Sequence, residues 1–78
     1  MLQILNLLKP ILADIFDVEE SEITPATTFE ELYADEYDIT EIRFTIEEEL
    51  DLTLDEKEMS AQASVGELIK LIEERQNA

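Results

Sequence analysis

The segment from Glu31 to Phe44 reads ELYADEYDITEIRF and has the composition of an acidic helix start. Asp35 is a good N-cap, because an aspartate side chain can accept a hydrogen bond from a backbone amide of the first turn. Glu36 and Asp38 follow in that turn, where the helix dipole favours negative charge. The segment therefore predicts a helix that begins after Asp35 and runs to about Leu50.

At about 100° per residue, this helix has two different faces. One is apolar and is expected to face the core; it consists of Ile39, Ile42, Ile46 and Leu50. The opposite face alternates aromatic and acidic side chains; it consists of Tyr37, Glu41, Phe44 and Glu48. Apolar anchors ringed by acids suit docking to a basic, partly hydrophobic groove on another protein. The alternative is that the first loop covers Tyr37, or that the last helix covers Phe44, so that both are ordinary core residues.

A first helix is predicted from about Leu2 to Phe16 because apolar residues recur at helical spacing. Its expected buried stripe is Ile4, Leu8, Ile11, Leu12 and Ile15. Pro10 lacks an amide hydrogen and clashes with the preceding turn of a helix. We therefore expect a bend at Pro10, the alternative being a helix that starts near Leu7.

A long loop and a last helix complete the predicted fold. Three apolar residues are spaced to pin the loop to the core: Val18, Ile23 and Phe29. Thr27 or Thr28, three residues before Glu30 or Glu31, is expected to cap a single turn around Phe29. A short turn is expected near Asp55–Met59. Ser64 and Glu67 predict a capping box for the last helix, whose buried stripe would be Val65, Leu68, Ile69 and Ile72. The predicted fold is all-α, a single domain over residues 1–78 with three main helices plus one short helix.

Composition excludes several classes of function. The chain has 78 residues, 21 acidic against five basic, and a net charge of −16. Such a charge opposes binding to nucleic acid or to an anionic membrane and attracts a basic protein partner. Cysteine and histidine are both absent, which removes disulfides, thiolate metal sites and Ser-His-Asp or Cys-His catalysis. We expect a monomer that is not an enzyme.

The N-terminal segment MLQILNLLKPILADIF does not resemble a targeting signal. It has no basic start, and Lys9 and Pro10 interrupt its apolar run. We therefore expect a cytoplasmic protein. The acidic stretch DLTLDEKE lacks the glycine of an EF-hand loop, so no dedicated metal site is expected.

Three segments of the chain resemble the acyl carrier protein family over nearly the whole length. ILADIFDVEESEITPATTFEEL is similar to that family's first helix end and loop, and SVGELIKLIEE to its final helix. LYADEYDITEIRFTIEEELDLTL resembles the family segment LGADSLDxVELxxxLEEEFDxxI. Two neighbouring positions depart from the family pattern: Tyr33 replaces the usual glycine, and Arg43 stands where an apolar residue is usual.

The resemblance implies that the serine of Asp-Ser-Leu carries a phosphopantetheine arm, whose thiol holds acyl groups as thioesters. The matching triplet here is Asp35-Glu36-Tyr37, so Glu36 stands at the serine position. A carboxylate cannot form the stable phosphodiester and would repel the incoming diphosphate of coenzyme A. The remaining serines, Ser21, Ser60 and Ser64, are not at the start of the second helix. Glu36 either simply stabilises the helix dipole or imitates the missing phosphate; the first interpretation is favoured.

Family partners typically contact acids and exposed apolar residues of the second helix. Carried over by position and combined with the helix start, the expected partner-binding residues are Asp35, Glu36, Tyr37, Glu41, Phe44, Glu47 and Glu48. The sequence thus predicts an acidic module that docks a basic protein and needs no cofactor. The alternative is an acyl carrier, with phosphopantetheine, in fatty-acid, polyketide or lipid synthesis. A weaker hypothesis is an inhibitor that mimics an anionic ligand.

Overall fold

The computed structural model describes residues 2–55, 59 and 63–77. It contains three α-helices: α1, Leu2–Phe16; α2, Glu36–Leu50; and α3, Val65–Gln76. A short 3-10 helix, Glu20–Glu22, lies in the first loop. Over the described ranges the chain forms no strand, only an isolated antiparallel bridge between Thr28 and Ser64. The predicted all-α fold is confirmed, while the turn predicted near Asp55–Met59 falls mainly outside the described residues.

Helix α1 begins at Leu2 and continues through Pro10 to Phe16, so the alternative of a start near Leu7 is wrong. Whether the helix bends at Pro10 stays a prediction. Asp17 follows the helix with a φ of 55°. Aspartate tolerates this left-handed conformation better than most residues, which suits it to the end of a helix.

The buried side of α1 differs slightly from the predicted stripe. Leu8 and Leu12 are fully buried, and Leu5, which the prediction left out, is also in the core. Ile4 and Ile15 are half-buried against that core. Ile11, predicted to be buried, is only half-buried and lies beside α2 in an open cleft. The prediction for Ile11 is therefore wrong, because the apolar face of α1 is wider than its contact with the core.

The first loop is pinned to the core as predicted. Ile23 and Phe29 are almost completely buried, and Val18 is half-buried against the core. Thr28 caps the turn that follows: its Oγ1 accepts from Glu31 N at 3.1 Å, and Glu31 Oε1 accepts from Thr28 N at 3.3 Å. This reciprocal pair is the capping arrangement expected from the spacing.

Backbone hydrogen bonds attach this loop to the start of α3. Val65 N donates to Thr27 O at 2.8 Å, and Gly66 N donates to Pro25 O at 2.9 Å. The Ser64 hydroxyl caps α3 by accepting from Glu67 N at 3.1 Å. The predicted stripes of α2 and α3 are confirmed, with Leu50 half-buried and the others buried: Ile39, Ile42, Ile46, Val65, Leu68, Ile69 and Ile72.

Candidate functional site

The outward side of α2 forms an open groove of about 580 Å³. Its lining combines acidic, aromatic and hydroxyl side chains, which are Glu36, Tyr37, Thr40, Glu41, Phe44, Thr45 and Glu48. The three isoleucines of α2 point to the opposite side, into the core. The site therefore arises from helical periodicity alone, since one face is buried and the other is left to solvent.

Two aromatic side chains of this groove are exposed. Tyr37 is 86% exposed and Phe44 is 55% exposed. The alternative in which the first loop or the last helix covers them is therefore wrong, and both residues stand on the solvent side as predicted. Covering an exposed aromatic pair with another molecule removes apolar surface from water, which is energetically favourable.

Arg43 contacts the Phe44 ring from the edge of the groove. Its guanidinium carbon lies 4.6 Å from the ring centroid, within the range of a cation–π contact. Its Nη1 is 3.9 Å from Glu47 Oε2, which is the i,i+4 pair expected from the sequence. The Arg43 Nε is buried without a hydrogen-bond partner in the part of the chain that the structure describes. Arg43 therefore has two contacts on α2, one with the Phe44 ring and one with the Glu47 carboxylate.

The groove is negatively charged. Glu36, Glu41 and Glu48 are all exposed, and among the described residues none that lines the groove is basic. In a chain with a net charge of −16, these carboxylates add to a field that attracts cations over a distance of about 8–10 Å in physiological salt. The groove therefore combines exposed aromatic surface with negative charge.

The start of α2 is fixed by a reciprocal cap. Asp35 Oδ1 accepts from Asp38 N at 2.9 Å, and Asp38 Oδ2 accepts from Asp35 N at 3.1 Å. The predicted N-cap is confirmed, and its carboxylate is already engaged within the chain. Glu36 is the first residue of α2, is exposed, and lines the groove. The cap thus fixes the first turn of α2, from which Glu36 lines the groove.

Glu47 lies next to the groove. It is not part of the groove lining, and its Oε2 accepts a hydrogen bond of 2.8 Å from Leu54 N. Leu54 is a core residue, only 1% exposed. Glu47 therefore holds the segment after α2 onto the helix, and it adjoins the groove through Arg43, which also contacts the Phe44 ring.

Two residues of the groove were missed by the sequence prediction. Thr40 and Thr45 line the groove. Each is three or four positions from a predicted residue, and residues at that spacing lie on the same face of a helix, so helical periodicity could have identified them. Tyr33 is 90% exposed and has a φ of 59°. A tyrosine in the left-handed region is uncommon, and the departure of Tyr33 from the family's glycine is the signal that pointed to this position.

Metal sites, membrane-spanning helices and alternative attachment serines were also considered for residues 2–55, 59 and 63–77 of the chain. Within them, no group of three or more acidic side chains is placed to hold a metal ion. No helix there is long and apolar enough to cross a membrane. Ser64, one of the serines considered as an attachment point, uses its hydroxyl to cap α3, and Ser60 lies outside the described residues.

Comparison with known proteins identifies the class. Residues 6–72 match the model of a family described as the phosphopantetheine attachment site. The acyl carrier protein of Clostridium perfringens strain 13 is 38% identical over 68 residues, which is 86% of this chain and 90% of that protein. The acyl carrier protein of Chlamydia muridarum is 36% identical over 70 residues, covering 88% and 91% of the two chains. The chain therefore belongs to the acyl carrier protein family.

Proposed function

We propose that this protein is an acyl-carrier-like module without a phosphopantetheine arm, which acts by docking a basic, partly hydrophobic protein through α2. The observation that carries the proposal is the exposure of Tyr37 and Phe44 between the carboxylates of Glu36, Glu41 and Glu48. A few residues, often aromatic, dominate the binding energy of protein interfaces, and surrounding charges steer the partner and fix its orientation. Asp35 and Glu47, whose carboxylates are engaged in intrachain hydrogen bonds, would act at the rim and by holding α2 in place.

The lack of an arm is inferred from the chemistry at the start of α2. Attachment of phosphopantetheine requires a hydroxyl oxygen, and by resemblance Glu36 stands where the family has its serine. A carboxylate does not fit this group, because it offers no hydroxyl and repels a diphosphate. The hydroxyl of Ser64 lies at the start of another helix, and that of Ser21 lies in the 3-10 helix of the first loop. Neither has the position of the family's serine.

The second candidate function is that of an acyl carrier that holds acyl groups as thioesters on phosphopantetheine. The names of the relatives favour it, since both are acyl carrier proteins. It requires that phosphopantetheine be attached to the hydroxyl of a residue other than the one at position 36. Among the residues that line the α2 groove, Tyr37, Thr40 and Thr45 carry hydroxyl groups.

Intact-mass measurement distinguishes the two candidates. The protein and its Glu36→Ser variant are each incubated with coenzyme A and a phosphopantetheinyl transferase of broad specificity. We expect no mass gain for the protein itself and one phosphopantetheine per chain for the variant. A stoichiometric gain on the unaltered protein would refute the arm-free proposal and favour the acyl carrier.

Docking is tested separately with a designed peptide. The probe is an amphipathic helix of about 18 residues that contains only Leu, Lys and Ala, with a peptide of the same composition but shuffled order as control. Phe44→Ala should weaken binding of the amphipathic peptide by about tenfold, as expected for an aromatic anchor. The matched control is Tyr33→Ala, which removes an aromatic side chain that is exposed but lies outside the groove. Equal binding by all three proteins, with helicity retained, would contradict docking through α2.

A further inference from the structure

A second cleft lies between α1 and α2, next to the groove. Its lining residues are Pro10, Ile11, Asp14, Ile15, Glu41 and Thr45. Glu41 and Thr45 also line the groove on the outward side of α2. These two residues are four positions apart on one helix, so their side chains stand one above the other. They form a ridge with one concave surface on each side, which we call the Glu41–Thr45 ridge.

The cleft repeats the chemistry of the groove. Ile11 and Ile15 are half-buried and offer aliphatic surface, as Tyr37 and Phe44 offer aromatic surface on the other side. Asp14 is exposed at the cleft, and Glu41 is exposed on the ridge. As in the groove, no basic residue lines the cleft in the part of the chain that the structure describes. The surface therefore has apolar contacts on both sides of a carboxylate.

A single element of secondary structure can satisfy this arrangement. A helix places side chains at i, i+3, i+4 and i+7 along one face, so a basic residue can be flanked by apolar residues one turn away in each direction. Charge complementarity requires the central residue to be Lys or Arg. A second copy of this chain is a poor occupant, because two chains that each carry −16 repel.

We propose that the partner presents an amphipathic basic helix that lies across the Glu41–Thr45 ridge, with a Lys or Arg at Glu41 and apolar side chains in both the groove and the cleft. α1 is then part of the docking surface, through Ile11, Asp14 and Ile15. The inference rests on the proposed docking function and adds to it the kind of partner and the contribution of α1.

The test uses the amphipathic Leu–Lys–Ala peptide and isothermal titration calorimetry. Two α1 variants remove the cleft's chemistry: Ile11→Ala shortens the aliphatic surface, and Asp14→Asn removes the charge. Each has a matched control on or beside α1. Ile4→Ala makes the same change at a half-buried residue that does not line the cleft, and Asp17→Asn removes an exposed charge just after the helix. Circular dichroism checks that each variant is folded.

We expect the Ile11→Ala/Asp14→Asn double variant to weaken binding by about 5- to 20-fold, while the two controls stay within about twofold. Amide chemical-shift changes on peptide addition should then map to both α1 and α2. The contribution of α1 would be overturned if the double variant bound the peptide with unchanged affinity while Phe44→Ala still bound it more weakly. The α2 docking function would then remain intact. If Phe44→Ala binds normally as well, the docking function fails and this inference with it. Analytical ultracentrifugation without peptide tests whether the protein dimerises. A dimer that Ile11→Ala abolishes would assign the surface to a second copy and overturn the proposed partner.

Discussion

Replacing Tyr33 with glycine is expected to stabilise the protein. Tyr33 has a φ of 59°, a left-handed conformation that costs a residue with a Cβ atom about 1–2 kcal/mol. Its amide donates to Glu30 O at 3.0 Å, and the next amide, of Ala34, donates to Phe29 O at 3.0 Å. Because these bonds fix the turn on both sides, the backbone should keep the same conformation when the side chain is removed.

The size of the effect follows from two opposing terms. Glycine relieves the left-handed strain, but its unfolded chain is more flexible, which costs about 0.5–1 kcal/mol. The side chain itself contributes little to stability, since it is 90% exposed. The two terms leave a change in the free energy of unfolding of about 0–1.5 kcal/mol. The midpoint is a gain of about 0.75 kcal/mol, or about 3–6 °C in Tm for a domain of this size.

Urea denaturation followed by far-UV circular dichroism measures this gain, at one fixed salt concentration because the chain is highly charged. Tyr33→Ala is the control, since it removes the ring but keeps the Cβ atom and its strain. Tyr33→Asn should fall between the two, because asparagine tolerates the left-handed region. A Tyr33→Gly variant no more stable than Tyr33→Ala would refute the strain argument, whatever the stability of either relative to the unaltered protein.

Three further substitutions test contacts within the fold by the same denaturation measurement. Thr27→Val should cost about 1–3 kcal/mol, because the buried hydroxyl that donates to Glu22 O at 3.0 Å is lost while the shape is kept; a loss below about 0.5 kcal/mol would contradict this. Glu47→Ala should cost about 1–2 kcal/mol of stability, because Leu54 N loses its acceptor. Glu47→Gln keeps an acceptor oxygen and should cost less. Equal losses in the two variants would assign the effect to the charge of Glu47 instead. Gly66→Ala should fail to give the gain of about 0.5–1 kcal/mol expected for alanine in a helix, since the new Cβ would lie 3.0 Å from a backbone carbonyl oxygen of the first loop; a clear gain would contradict the close approach.

The features that the sequence predicted well depend on contacts within a few residues. The Asp35 cap and the exposure of Tyr37 and Phe44 follow from helix geometry, which a single segment specifies. The features that were missed depend on contacts between a helix and a separate segment of the chain, whether near or far in sequence. The half-exposure of Ile11 reflects how α1 lies against α2, and the hydrogen bond of Glu47 depends on the path of the chain to Leu54.

Under the proposed function, the position of Glu36 accounts for a carrier fold and a docking face that persist without the attachment chemistry. Glu36 is exposed in the first turn of α2, where a carboxylate stabilises the helix by about 0.3–1 kcal/mol and displaces no buried group. Neither the core isoleucines of α2 nor the contact between Arg43 and Phe44 involves its side chain. A change at this position can therefore alter the chemistry of the protein while the fold and the groove stay as they are. For the same reason Glu36→Ser should lose at most about 1 kcal/mol of stability, so any difference between it and the unaltered protein in the transferase reaction would report on attachment and not on folding.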